Sequence, residues 1–247
     1  MVKNTPAFVL KINPKGETSS VLHCFSRDFG KLILIAKGAR TSKSPFKGLL
    51  EPFSLLNIHF NEKAGRAYQF LANAEYVHPF RNLKKHPEAV LYGSVILEVI
   101  YKTQEDTEDQ KIFELLKAVF TSIERGRPAF YAHWYFILQY LKTEGLPLDI
   151  DSCYRCSATL PPAYFNPFSG HIYCKNCCAE NTSVWELQPS VLSILKGLSE
   201  NTPAEMPEIP ENIPEKDLIN RILWNTLAAR FDCCGTLSSV NVLRKVL

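Results

Sequence analysis

Long hydrophobic runs are missing from this 247-residue chain. The two longest, VILEVIY (95–101) and FYAHWYFILQYL (130–141), are broken by Glu98 in the first and by His133 and Gln139 in the second. Both fall short of the ~18–20 apolar residues that a membrane span needs. MVKNTPAFVLKINPKGE, at the start, has no apolar stretch of signal-peptide length before charge and turn residues interrupt it. The common catalytic signatures are missing too: no G-x-x-x-x-G-K-[ST] phosphate loop, no G-x-G-x-x-G after a strand, no G-x-S-x-G elbow and no H-E-x-x-H. Six histidines are scattered without spacing partners. The expectation is a cytoplasmic protein that is not an enzyme, in a compartment where paired cysteines bind metal more often than they form disulfides. Hydrophobic content of 46% and charged content of 21% are those of an ordinary globular chain, long enough for one or two domains.

Acidic charge is scarce at one end. Residues 1–50 carry nine basic side chains (Lys3, Lys11, Lys15, Arg27, Lys31, Lys37, Arg40, Lys43, Lys47) against Glu17 and Asp28. The whole chain is only +3, so that end is +7 and the remaining 197 residues are −4. A positive field concentrated in this way is the footprint of a polyanion binder, although charge alone does not name the polyanion and a solvated lysine-rich face has the same composition.

The pattern of residues 7–77 is β. AFVLKI (7–12), SSVLHCF (19–25), KLILIA (31–36), FSLLNIHF (53–60) and RAYQFLANAEYV (66–77) are strand-like runs separated by turn segments, with Gly30 suited to a tight connection. Five strands with a long loop, KGARTSKSPFKG (37–48), between the third and fourth are compatible with a small closed barrel of the OB type. From Pro79 the texture turns helical. Helices are predicted over 87–104, with proline at the first position, and over 108–124, 128–143, 189–198 and 215–247. NTPAEMPEIPENIPE (201–215) reads as a proline-rich spacer. The predicted organisation is α+β: a barrel domain over 1–78 and an α-helical domain over 79–247, with an inserted metal module at about 151–180.

That module is CYRCSATLPPAYFNPFSGHIYCKNCC. Cys153/Cys156 and Cys174/Cys177 form two C-x-x-C pairs around a seventeen-residue loop, the spacing of a closed four-thiolate zinc site. Cys178 or His171 is an alternative ligand by position. Cys24, Cys233 and Cys234 read as small buried apolar residues. Four thiolates leave no coordination position for water or substrate, so the predicted zinc is structural. Zinc deaminases combine H-x-E with P-C-x-x-C, and His86-Pro87-Glu88 supplies the first half. However, Ser152 rather than proline precedes Cys153, and the second C-x-x-C would be left without a role. His86-Pro87-Glu88 reads instead as a helix start with Glu88 near its positive end.

In RDFGKLILIAKGARTSKSPFKGLLEPF (27–53), basic residues sit in or beside a glycine-punctuated loop that can reach a phosphate backbone. Phe25 and Phe53 read as core, and Phe29 and Phe46 as candidate stacking faces for unpaired bases. The run FSRDFGKLILIAKGARTSKS followed by LLEPF resembles the N-terminal signature of the RecO family of bacterial recombination mediators, and the later cysteine unit is similar to that family's zinc module. The likeness runs along essentially the whole chain. It implies a bacterial, nucleoid-associated protein of the RecFOR pathway that acts in DNA repair and recombination. Such a protein binds single- and double-stranded DNA, anneals strands and helps load RecA. The implied partners are RecR and the acidic tail of the single-stranded-DNA-binding protein. By the resemblance, Lys37, Arg40 and Lys43 are phosphate contacts, with Arg27, Lys31 and Lys47 as neighbours. Arg125 and Arg127 are expected to meet the tail, with Tyr131, Trp134 or Tyr135 lining its pocket. The competing reading is a zinc-containing interaction adaptor whose nucleic-acid binding is incidental.

Overall fold

The computed structural model describes residues 1–178, 183–202 and 213–246. Five strands close a barrel: β1 (Val2–Lys15), β2 (Ser19–Ser26), β3 (Gly30–Ala36), β4 (Leu55–Asn61) and β5 (Gln69–His78), in the order β1-β2-β3-β5-β4 with β1 returning to β4. Closure depends on the length of β1. Its first half pairs with β4 and its second half with β2, and a register shift between Val9 and Lys11 separates the second ladder into two stretches. A bulge of this kind bends and twists a strand enough for a small sheet to close. The seam lies between β3 and β5, which run parallel and meet only at Leu34–Gln69 and Ile35–Phe70. The first strand starts at Val2 rather than Ala7, because Val2–Thr5 find partners on β4 that are distant in sequence.

Alternation sends Ala7, Val9, Leu22, Cys24, Leu34 and Ala36 into the barrel. The opposite face of β1 and β2 is apolar as well. Phe8, Leu10 and Phe25, joined by Phe53 and Leu55, belong to the core shared with the helices. There the barrel's phenylalanines meet Phe80, Phe113 and Phe120, with Phe8 5.4 Å from Phe113 and Phe53 5.8 Å from Phe120 between ring centroids. Offset and edge-on packing at these separations adds to plain area burial.

The helices are α1 (Arg81–Lys85), α2 (Pro87–Thr103), α3 (Gln110–Glu124), α4 (Ala129–Thr143), α5 (Lys175–Cys178), α6 (Pro189–Glu200), α7 (Lys216–Arg230) and α8 (Ser238–Val246). Pro87 starts α2, and the Asp109 carboxylate accepts from the Ile112 N–H at 3.0 Å to cap α3. α4 is the axis: every residue from Ala129 to Leu138, and then Tyr140 and Leu141, is buried. Three short strands, β6 (Ala163–Asn166), β7 (His171–Cys174) and β8 (Trp185–Leu187), make a second sheet ordered β7-β6-β8.

One long C-terminal helix was expected over 215–247, but α7 ends at Arg230 and a 3-10 turn, Asp232–Thr236, separates it from α8. Tertiary hydrogen bonds fix that break. Glu98 accepts from the Ser238 and Ser239 N–H groups at the start of α8, and the Lys102 ammonium donates to the Cys233 and Thr236 carbonyls. Cys233 is consequently exposed rather than buried, whereas Cys234 is in the core. The proline-rich spacer lies mostly outside the described residues.

Candidate nucleic-acid interface and metal centre

The basic segment between β3 and β4 is a chain of tight turns. The Thr41 N–H donates to Gly38 O, Ser44 N–H to Thr41 O, Lys47 N–H to Ser44 O and Leu49 N–H to Phe46 O. Phe46 plugs the end of the barrel at 6% exposure with Leu50 beside it, so it anchors the loop and presents no stacking face. Phe29 is half-buried against Phe60, edge-on at 5.4 Å. A second tether runs to the β1–β2 turn: the Arg40 N–H donates to Thr18 O and its guanidinium to Gly16 O, both at 2.9 Å. Lys37, Arg40, Lys43 and Lys47 are all exposed on this fixed loop.

Two of the predicted neighbours sit differently. The Lys31 ammonium donates to Tyr101 O at the end of α2 and lies over the Tyr101 ring, so it braces the barrel against the helices. Lys11 lies over the same ring, and His23 meets it edge-on. Burial, and then the charges of Lys11 and Lys31, push the His23 pKa down. The Arg27 guanidinium is paired with Asp28 at 2.9 Å, which offsets its charge. The sequence reading singled out neither Tyr68 nor Phe70, and counted Lys15 only within the basic end. Tyr68 and Phe70 lie beside the seam with rings 5.9 Å apart, Lys15 over one at 4.7 Å and Lys37 over the other at 4.6 Å. The signal for these was Y-x-F at the start of the fifth strand, where Leu71 and Ala74 supply the core residues.

The cysteine module is built from two tight turns and a hairpin. The Ser157 N–H closes back to Cys153 O at 2.8 Å, with Ser157 at a φ of 58°, and the Tyr154 N–H donates to Ile172 O in β7. Cys174 ends β7, and Cys177 follows within α5. The Sγ atoms of Cys153, Cys156, Cys174 and Cys177 all lie within 4.8 Å of one another, and Cys156 and Cys174 are 3.7 Å apart. Tetrahedral zinc with bonds of about 2.3 Å sets sulfur–sulfur edges of about 3.8 Å, so donor set and spacing both fit such an ion. Burial opposes a charge on Cys153, but N–H groups of Cys174, Cys156 and Arg155 outweigh it and bring its pKa to about 6. Cys177 is held up to about 12, first by donating to Cys156. The Cys153 thiolate is favoured and that of Cys177 is resisted, an imbalance that a dication removes.

The alternative ligands have other partners. The Cys178 thiol donates to Lys175 O. His171 stacks on Tyr154, and its Nδ1 lies 2.8 Å from the Arg230 guanidinium. Arg230 also donates to Ser169 O and Gly170 O, clamping the β6–β7 turn to α7. Burial and then Arg230 lower the His171 pKa to about 4. His86 and Glu88 stand at the start of α2, where Glu88 pairs with Lys216 at 2.7 Å.

Arg125 is exposed and Arg127 half-buried in the α3–α4 connection. The aromatics expected beside them are core: Trp134 is fully buried with its indole N–H donating to Asn220, and Tyr131 and Tyr135 are 2% and 6% exposed. An all-round apolar α4 leaves none of the three to line an open pocket. A cleft of about 590 Å³ between β8, α7 and α8 instead joins Arg221, over the Trp185 ring at 4.2 Å, with Arg244, over Trp224 at 5.2 Å.

Comparison with known families gives this geometry its context. A family model described as recombination protein O N terminal matches residues 1–80, and its companion, recombination protein O C terminal, matches 85–228. The chain belongs to the RecO family. A protein of Syntrophus aciditrophicus called DNA repair protein RecO is 29% identical over 177 residues, covering 70% of this chain and 68% of the relative. Namesakes in Caldanaerobacter subterraneus and a Thermoanaerobacter strain are each 30% identical, with 70% of both chains covered. The two family models thus meet at the boundary where β5 gives way to α1. Among the described residues of this RecO-family chain, no helix is long and apolar enough to cross a membrane.

Proposed function

We propose that this protein is a DNA-binding mediator of recombinational repair that works without covalent chemistry. The observation that carries the reading is the turn-locked basic loop on a closed OB-type barrel in a RecO-family chain. Lys37, Arg40, Lys43 and Lys47 contact phosphates of single- and double-stranded DNA. Lys31 is left out because its ammonium is engaged at α2, and Arg27 contributes little while paired with Asp28. Annealing follows from electrostatics. A basic surface screens strand repulsion and holds two strands at high effective concentration. With RecR, the protein helps RecA load onto strands coated with single-stranded-DNA-binding protein. Arg125 and Arg127 take the acidic tail of that coat. One structural zinc ion held by Cys153, Cys156, Cys174 and Cys177 secures the module and takes no part in the action.

Annealing of coated complementary oligonucleotides, with and without the coat protein's acidic tail, tests this reading. The chain should anneal them only when the tail is present. Lys37→Ala/Arg40→Ala/Lys43→Ala should anneal poorly and bind single strands with a salt slope flatter by about 0.7 per lost phosphate contact. Unchanged affinity and slope would remove the loop from the interface. A chain that binds the tail but anneals nothing, even at low salt, is the interaction adaptor instead.

A further inference from the structure

Neither apolar cluster uses Tyr68, Phe70 or Tyr76 of the barrel, and the Tyr76 hydroxyl is engaged, donating to Gly48 O. Every other phenylalanine of residues 1–80 packs into or against one of those clusters. Tyr68 is 41% exposed and Phe70 half-buried. They are two apart on the approach to and start of β5, so both project from one face. Phe70 pairs with Ile35 of β3, whose chain continues directly into the basic loop at Lys37. The rings meet edge to face at 89°, forming a step beside the seam. Each carries a lysine ammonium over its π-face: Lys15 from the β1–β2 turn and Lys37 from the loop. Arg40 is tied to that same β1–β2 turn.

Resting on the reading of the barrel as a DNA-binding surface, we propose that Tyr68 and Phe70 are a base-stacking platform, the element that recognises unpaired bases. The ligand is single-stranded DNA of any sequence, since every base offers a π-face. An ammonium over an exposed ring is a weak interaction, and a base stacked on the same ring is a stronger one. A bound base therefore replaces the lysine. The displaced ammonium stays within a side chain's reach and moves to the flanking phosphate. The platform separates two parts of recognition. The loop lysines and Arg40 meet phosphates on single or double strands alike, whereas the rings serve only strands whose bases are free. The connections framing it, the β1–β2 turn and the β4–β5 loop, are those through which OB barrels commonly hold oligonucleotides.

The test compares three oligomers of equal length and charge at one salt concentration: oligothymidylate, the same backbone with abasic sites, and a duplex. Tyr68→Ala should weaken binding of oligothymidylate by about five- to a hundredfold. Binding of the abasic strand and the duplex should be unchanged, as should the salt slope, because no phosphate contact is removed. Tyr68→Phe should bind like the wild type. Phe70→Leu, which keeps apolar volume and removes the π-face, should repeat the selective loss while melting normally. An equal loss on thymidine and abasic strands, or no loss on either, overturns the platform even if the loop variant behaves as expected. A wild-type chain that binds none of the three removes the reading of the whole barrel, and the platform with it.

Discussion

Gly93 sits in the middle of α2, where a glycine costs a helix about 1 kcal/mol relative to alanine. Gly93→Ala should nevertheless destabilise the fold. An ideal Cβ at this position lies 2.7 Å from Phe53 Cε1, against the roughly 3.5–4.0 Å of comfortable carbon contact. The ring has to retreat by nearly 1 Å on that scale, and little allows it to. Phe53 is 7% exposed, packs on Phe120, and has a backbone φ of 64° that fixes the direction of its side chain. Overpacking of this kind costs about 1–3 kcal/mol, so the net loss is ~1 kcal/mol after the helical gain. For a chain of this length that lowers Tm by about 2–4 °C. Gly197 in α6 is the internal control. Nothing lies within 4 Å of its would-be Cβ, and Gly197→Ala should raise Tm by a similar amount. Differential scanning calorimetry of both variants decides the matter. If the two alanines raise Tm together, Phe53 does not press on α2 and the described docking of barrel on helices is wrong. Phe53→Leu added to Gly93→Ala should recover part of the loss, a coupling that only a direct contact produces.

Two further outcomes follow from the metal centre and the helical core. The purified chain should carry one zinc per molecule by elemental analysis; Cys156→Ser or chelation should lower both zinc content and Tm, and a zinc-replete, fully stable Cys156→Ser variant would refute the ligand set. His133 accepts a hydrogen bond from the Trp224 indole at Nε2, and complete burial lowers its pKa to about 3. The unfolded chain takes up this proton below about pH 6.5 while the folded chain refuses it until about 3, so stability falls as pH falls through that window. The loss is about 2 kcal/mol by pH 5. His133→Gln, which keeps an acceptor for Trp224, should therefore lose less Tm than the wild type between pH 7 and 5, and equal losses would mean that His133 is charged in the fold.

The barrel strands, the helices from 87 to 143 and the cluster of four cysteines were legible because each is encoded locally, in alternation, helical spacing or the C-x-x-C turn. Less legible was the meaning of the polar residues that interrupt the apolar runs. Glu98 breaks VILEVIY because it caps α8 from 140 residues away in sequence. Gln139 breaks the α4 run because its amide donates to the Leu198 and Ser199 carbonyls at the end of α6. A residue that closes the end of a distant helix carries no periodic signal. The same limit explains the misread aromatics. Phe46 lies in a loop yet plugs the barrel, and Trp134 lies on a helix with no outward face. Exposure depends on what packs around an element, and single-strand alternation does not contain that.

The division of charge along the chain gains a spatial meaning from one contact. Gly30, at a φ of 58°, brings the start of β3 so close to the α2–α3 connection that a Cβ there would lie 2.1 Å from the Thr107 carbonyl oxygen. The Lys31 N–H donates to Glu105 O at 2.7 Å across the same contact. This bond and the close approach hold the exposed Glu105, Asp106 and Glu108 against the barrel, where they share a groove of about 660 Å³ with Tyr68 and Arg66. Phosphates within a Debye length of about 8–10 Å are repelled by those carboxylates. A strand bound as proposed is thereby confined to one side of the step, toward Lys15, Lys37 and the turn-locked loop, and kept off the helices. The acidic connection thus gives the basic surface an edge and so a direction.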